Sequence, residues 1–344
     1  MVSWHLALLL VGVCVASCIG TGLTRRYALR KRILDIPTSR SSHNEPVPRG
    51  GGLPFVVLFL LAVLLCIWLY PGDLRIWVAL FGGGLIVGAV GWIDDRMGLP
   101  SFLRLLLYGL GALWAVMWAG GLPRFSLGFA HFSLGVWGYF LGWLGVFCLI
   151  NFYNFMDGID GIAAGEGITV SLSAGMLLLM SAGTALAFLC FVLAAGLLGF
   201  IRWNWSPARV FMGDVGSNFL GYTFGVLAIA SENQGTLPSL VWIVLLAVFV
   251  VDGVATMLRR LRRGKLPHIP HRTHAYQGAV LEGFSHRQVV SAVLMINLVL
   301  AGLAVLVHHF PLLLLPVLVV SGAVLLAMQY RFSGLRPQFG QEDI

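Results

Sequence analysis

Most of the side chains capable of chemistry fall in a few short segments. Asp94 and Asp95 are adjacent. Asn151-Phe-Tyr-Asn154-Phe-Met-Asp157-Gly158-Ile-Asp160-Gly161 places four amide or carboxylate groups within ten residues. Asp157 and Asp160, three apart, share a face of a helical turn. Gly158 and Gly161 allow a ligand or a second helix close to the backbone, although a glycine-rich turn with Asx caps would look the same. A third segment holds Asn204 and then Arg209-Val-Phe211-Met-Gly213-Asp214-Val-Gly216-Ser217. Asp214 is placed to N-cap a following helix, and Gly213, Gly216 and Ser217 would leave backbone donors open to an anion.

Two basic segments complement these acids. Arg259 to Tyr276 contains His268, His271, Arg272 and His274, at a spacing and without the cysteines that a zinc site would need. His271, Arg272 and His274 suit phosphate oxygens, whereas Arg259–Lys265 fit charge-based topology or anionic-lipid contact. The other segment runs from Asp35 through Ser39, Arg40, Ser41, Ser42 and His43 to Arg49-Gly50-Gly51-Gly52. It is a second anion-friendly surface ahead of a glycine-rich helix start. Carboxylates hold Mg²⁺ when phosphates supply the remaining ligands. An acidic pair at a helix C-terminus opposes the helix dipole, and a bound cation relieves that.

The elements that position these groups follow from composition. The chain has 344 residues, 58% hydrophobic and 10% charged, and a mean hydropathy of +0.90. Soluble domains carry about 25% charged residues, so a water-soluble enzyme, a coiled coil and a nucleic-acid-binding domain are excluded. The 43 glycines and 11 tryptophans suit packed membrane helices with interfacial anchors. The five cysteines lie in apolar runs and read as packing residues.

Eleven apolar segments are predicted, at about 3–22, 51–70, 75–93, 102–120, 133–151, 162–181, 184–201, 215–231, 238–257, 288–307 and 311–330, each near the roughly 20 residues a span needs. With that count, 20 of the 22 Lys and Arg residues share one side, and only Arg75 and Arg124 fall on the other. The positive-inside rule then places the N-terminus outside and the C-terminus in the cytoplasm. The first segment is expected to stay as a span, since no Lys or Arg precedes it and Arg25–Arg32 follow. The polar clusters all fall on the cytoplasmic side. Asp252 lies within the ninth segment, where a carboxylate either serves function or pairs locally to orient a helix.

The expected fold is an all-α polytopic membrane protein of about eleven transmembrane helices, a single domain over 1–344. Its N-terminus is periplasmic, its C-terminus cytoplasmic, and its active site lies at the cytoplasmic interface. The basic cytoplasmic loops fall at about 23–50 and 258–287. The site suits one water-soluble phosphorylated substrate and one lipid phosphate.

The four ordered motifs, Asp94-Asp95, Asn154-x-x-Asp157-Gly-x-Asp160-Gly161, Phe211-Met-Gly-Asp214-x-Gly-Ser217 and the His-rich ninth loop, resemble those of the polyprenyl-phosphate N-acetylhexosamine-1-phosphate transferases, the MraY and WecA group. The resemblance leans to the WecA side and to WbpL-like O-antigen initiators. Pro270-His271-Arg272-Thr273-His274 lacks the consecutive histidines of MraY, which argues against a UDP-MurNAc-pentapeptide substrate.

The resemblance implies transfer of HexNAc-1-phosphate from a UDP-sugar to undecaprenyl phosphate with release of UMP, in the bacterial inner membrane, at the start of O-antigen or cell-envelope polysaccharide synthesis. It implies Mg²⁺, with Mn²⁺ as a substitute, and a homodimer; no nucleic acid is expected as a partner. By the same resemblance Asp214, Asp157 and Asp95 hold the metal, and Asp94 and Asp95 hold or deprotonate the lipid phosphate. Asn154, Gly158 and Asp160 line the nucleotide pocket, with Asn204 and Phe211 near the uracil. His271, Arg272 and His274 bind diphosphate, His274 in a catalytic role, and His43 and Arg49 add to the substrate surface.

Three other readings are weaker. A CDP-alcohol phosphotransferase would need an Ala-Arg after its Asp-Gly pair, but Ile162-Ala163-Ala164-Gly165 follows here. A transporter or flippase would place charges at mid-membrane and repeat its halves. A prenyl-diphosphate synthase would need Asp-Asp-x-x-Asp, yet Arg96-Met97-Gly98 follows Asp95.

Overall fold

The computed structural model describes residues 4–37, 45–264 and 273–333. The chain opens with α1 (Trp4–Lys31), which runs past the predicted end near residue 22. Its added turns are rich in Arg, Ala, Leu and Lys, all good helix formers, and the helix stops at Arg32, where φ is +55°. Two short strands follow, β1 (Leu34–Asp35) and β2 (Val47–Pro48), paired antiparallel. Next come α2 (Leu53–Leu69), then α3 (Leu74–Val78) and α4 (Gly84–Met97), joined by a π-turn at Ala79–Gly83. Helix α5 (Ser101–Ala119) leads to a hairpin of β3 (Arg124–Ser126) and β4 (His131–Ser133). Neither strand pair is predicted by hydropathy, because each is too short to show an alternating pattern.

The second half is α6 (Trp137–Met156), α7 (Ile162–Met180), α8 (Thr184–Asn204) and α9 (Asp214–Gln234), followed by α10 (Ser239–Leu245) and α11 (Ala247–Arg262). A short helix α12 (Ala275–Leu281) interrupts the long basic loop, and α13 (His286–His309) and α14 (Leu314–Phe332) complete the chain.

Each predicted apolar segment falls on a helix or helix pair. Among the described residues, eight helices are long and apolar enough to cross a bilayer. The pair α10–α11, bent by 85°, makes a ninth if taken as one span. The other two segments are α2, with 17 residues, and α9. Helix α9 carries Ser217, Asn218, Thr223, Ser231 and Glu232, which lower its hydropathy. It can do so because Val215 through Glu232 are all buried in protein, so its side chains meet other helices and not lipid.

Helix α9 is the axis of the fold, packed chiefly against α4 and α6. Small residues allow the close approach: Gly91 abuts the Asp214 backbone, and Gly221 abuts the Leu149 carbonyl. Rows of exposed Leu, Val and Ile on α1, α13 and α14 form the outer surface. One buried polar tie crosses the interior, where Asn297 on α13 donates to Glu166 on α7 at 2.6 Å.

Candidate functional site

The site forms where the ends of α4, α6 and α9 meet the start of α5. Asp94 and Asp95 lie in the last turn of α4, both buried. The helix ends at Gly98 in the left-handed conformation, and the Leu99 N–H donates to Asp94 at 2.5 Å. Arg104, one turn into α5, reaches Asp94 at 2.7 Å and Asp214 at 3.4 Å. Its guanidinium therefore bridges carboxylates from two helices. Asn154, in the last turn of α6, donates to Asp214 and to the Ser217 hydroxyl, each at 3.0 Å.

Asp95 does something the sequence does not predict. Its carboxylate accepts from the backbone N–H of Asp214 at 2.9 Å and of Val215 at 3.2 Å. Gly213, not Asp214, occupies the N-cap position of α9. It needs glycine twice over: φ is +77°, and a Cβ would overlap the Asp95 carboxylate. Two expectations are thereby corrected. Asp214 is the first residue of the helix and leaves capping to Asp95, which arrives from α4. The first N–H groups of α9 are not open to an external anion, because Asp95 is already the anion there, and Gly216 and Ser217 donate to the Gly213 carbonyl. Asp95 thus caps α9, and Asp94, Asp157 and Asp214 are the other acids of the cluster.

The glycines of the first loop are corrected in the same way. Gly51 and Gly52 donate to the carbonyls of Phe211 and Met212 at 2.9 Å each, and Phe211 N–H donates to Pro48 at 2.8 Å. This pairing docks the β2 end of the first loop on the segment before α9, so these donors serve the fold. Arg49 pairs with Asp35 and lies within electrostatic reach of Asp95 and Asp214.

Asp157 follows α6 directly. Among the described residues its carboxylate has no hydrogen-bond or ion-pair partner. Burial, and then the negative charges of Asp214, Asp95 and Asp160, push its carboxyl well above the usual range. Asp160 behaves oppositely. Burial would raise it, but His286 at 3.3 Å and the Ala208 N–H at 3.1 Å hold it below the ordinary value. Asp160 thus ties the loop after Met156 to α13 and to the segment before α9.

The other predicted residues have different placements. Asn204 is buried, accepting from Gly161 N–H at 3.1 Å and donating to the Val210 carbonyl at 3.0 Å, so its amide fixes two loops to each other. Gly158 is packed against the Tyr276 hydroxyl. His274 is 3% exposed, beside Phe155, Tyr276 and Asp252, which places it inside the protein rather than on a solvent-facing phosphate surface. His43, His271 and Arg272 lie outside the described residues. Arg104 and Tyr108, whose hydroxyl accepts from Asn218 at 2.9 Å, are site residues that spacing did not single out. Arg104 had a signal, being a lone cation one turn inside an apolar helix.

No three His, Cys, Asp or Glu side chains among the described residues converge on one point as a ready-made metal cage. Mg²⁺ does not require one, since it binds through one or two carboxylates plus substrate phosphates and water. The all-oxygen donors of Asp157 and Asp214, beside the Asn154 amide, fit that chemistry.

Comparison with known proteins agrees with this architecture. Residues 77–232 match the model of glycosyl transferase family 4, a range that holds Arg104 and Asn154, whose side chains reach Asp214. A probable undecaprenyl-phosphate N-acetylglucosaminyl 1-phosphate transferase of Bacillus subtilis (strain 168) is 31% identical over 81% of this chain and 78% of its own. Undecaprenyl-phosphate alpha-N-acetylglucosaminyl 1-phosphate transferases of Escherichia coli O157:H7 and Yersinia pestis are 30% and 31% identical over 83% of this chain and 79% and 78% of theirs. The chain belongs to this family, the polyprenyl-phosphate N-acetylhexosamine-1-phosphate transferases of the MraY and WecA group.

Proposed function

We propose that the protein transfers HexNAc-1-phosphate from a UDP-sugar to undecaprenyl phosphate and releases UMP, at the cytoplasmic face of the bacterial inner membrane. UDP-GlcNAc, or a 6-deoxy relative such as UDP-FucNAc or UDP-QuiNAc, is the donor, and the product begins O-antigen or another envelope polysaccharide. The observation that carries this reading is the meeting of Asp94, Asp157 and Asp214 with Arg104 and Asn154 at the ends of four membrane helices.

An apolar cavity of about 640 Å³ lies between α5 and α6, lined by Phe102, Leu106, Leu110, Met117, Trp143 and Phe147. Phe102 is in the first turn of α5, the same helix end that carries Arg104. A polyprenyl chain in this groove would bring its phosphate to the Arg104 guanidinium. Mg²⁺ held by Asp157 and Asp214 would neutralise the donor diphosphate. Asn154 keeps Asp214 oriented, and Asp95 keeps the α9 backbone in place. A lipid-phosphate oxygen then attacks the β-phosphorus of the UDP-sugar. The bond from that phosphorus to the bridging oxygen breaks, and UMP leaves with the oxygen. Two anions must meet, so charge neutralisation is the main catalytic demand.

The test is a panel of UDP-GlcNAc, UDP-GalNAc, UDP-FucNAc and UDP-QuiNAc, each given with undecaprenyl phosphate to detergent-purified protein. A diphosphate-linked lipid product from at least one donor is expected. No lipid product from any of them, with the protein folded, would overturn the reading.

A further inference from the structure

Asp252 lies on α11, 5% exposed and away from the acidic cluster. Its two oxygens accept from the Ala275 N–H at 3.2 and 3.0 Å. One of them also accepts from Thr256 at 3.1 Å and from Gln329 at 3.2 Å, and it stands 3.5 Å from the His274 ring nitrogen Nδ1. Arg259, on the same helix, donates to the Thr273 carbonyl at 3.3 Å. One buried carboxylate therefore joins α11, the start of α12 and the C-terminal helix α14.

A second link runs from this anchor to the site. Tyr276, one residue beyond Ala275 and buried, donates its hydroxyl to the Phe155 carbonyl at 2.9 Å. The same hydroxyl rests on Gly158, where a Cβ would collide with it. The His274 ring stacks 5.8 Å from Tyr276 and lies 6.3 Å from Phe155. Phe155 sits between Asn154 and Asp157 in the chain. The turn that aims those two side chains is thus braced from behind by Tyr276, and Tyr276 is held by Asp252.

We propose that Asp252 is a positioning residue of the transfer site: through the start of α12 and Tyr276 it fixes the turn that carries Asn154 and Asp157. The proposal rests on the transfer reading above for its effect on turnover, but the bracing itself can be measured without it. An apolar replacement strands the Ala275 N–H and leaves the Gln329 amide with the Thr256 hydroxyl at 3.2 Å, and a displacement of the order of 1 Å in a reacting group costs about 100-fold in rate.

The experiment is a double-mutant cycle with two readouts, turnover and hydrogen exchange of the peptide covering 152–162. Asp252→Ala is expected to lower kcat by about 100-fold and Tyr276→Phe by about 10-fold. The double variant should be no slower than Asp252→Ala alone, because both act through one brace. Asp252→Asn keeps an acceptor for the Ala275 N–H and should recover most of the loss. Exchange in 152–162 should quicken in Asp252→Ala and Tyr276→Phe. If Asp252→Ala does not fold, Tyr276→Phe alone, read by exchange in 152–162, tests the brace. Losses that multiply, or unchanged exchange in 152–162, would overturn the proposal. A wild-type protein that makes no lipid product would remove the transfer reading, and exchange alone would then decide the bracing.

Discussion

The Asp95 carboxylate caps α9 from a different helix, accepting from the Asp214 and Val215 N–H groups at 2.9 and 3.2 Å. The adjacent acid, Asp94, instead takes the Arg104 guanidinium. Two neighbouring residues of one type thus have different duties, one holding a helix start and the other belonging to the charge cluster.

That division predicts different phenotypes. Asp95→Ala should lose about 1–2 kcal/mol of stability, the usual cost of removing a helix cap, together with activity. Asp95→Asn keeps one acceptor and should melt closer to wild type. Thermal unfolding of the detergent-purified variants reads this directly. An Asp95→Ala protein that melts like wild type but is inactive would return Asp95 to the reacting groups.

Arg104 is expected to behave as a phosphate-facing cation. Arg104→Gln removes the only guanidinium between Asp94 and Asp214 among the described residues. Turnover should fall roughly 100-fold and the KM for undecaprenyl phosphate should rise, as expected where a charged hydrogen-bonding group is lost. Arg104→Lys should keep part of the activity, since charge survives but the planar guanidinium that meets both carboxylates does not. A loss in Arg104→Gln confined to the KM for the UDP-sugar would place the guanidinium at the donor instead.

Asp157 predicts a pH dependence. Its carboxyl is raised by burial and by three neighbouring acids, so it keeps a proton at pH values where a free carboxyl has lost it. A divalent cation must displace that proton. Affinity for Mg²⁺ should therefore strengthen as pH rises and weaken as it falls, with protons released on binding. Calorimetry with Mg²⁺ and UMP, run between about pH 6 and about pH 8.5, should show this slope. Asp157→Asn should flatten it, and Asp214→Asn should weaken the binding itself. A slope that survives in Asp157→Asn would assign the proton to another acid.

Much of the fold is legible in hydropathy, because each lipid-facing helix announces itself as an apolar run. Even α9, which faces protein on all sides, kept enough apolar residues to be found. The site is legible as residue types but not as contacts. Asp94, Asp157, Asp214 and Asn154 stand out as polar residues in an apolar chain. The reach of Asp95 to α9, 119 positions away, leaves no local trace. Asn204 and Gly158 carry the same polar or glycine signature as ligand-binding residues, yet one ties loops together and the other makes room for Tyr276. Arg104 is masked by the topological rule that also accounts for Arg259–Lys265 on its side.

The topology implied by the 20-to-2 distribution of basic residues predicts that a reporter fused after Gln234 reads periplasmic and one fused after Gln338 reads cytoplasmic. The α10–α11 bend of 85° makes this informative, because a re-entrant pair in place of a span would put both fusions on the same side.

The account stands most directly on UMP release by the purified protein, measured with UDP-HexNAc and Mg²⁺ in the presence and absence of undecaprenyl phosphate. Direct transfer needs both substrates on the enzyme. The predicted result is release that depends on the lipid, stops on chelation, and comes with no exchange of labelled UMP into UDP-sugar when lipid is absent. Robust lipid-free exchange would contradict single displacement and point to a covalent aspartyl intermediate; no UMP from any donor, with lipid and metal present, would contradict the transfer reaction itself.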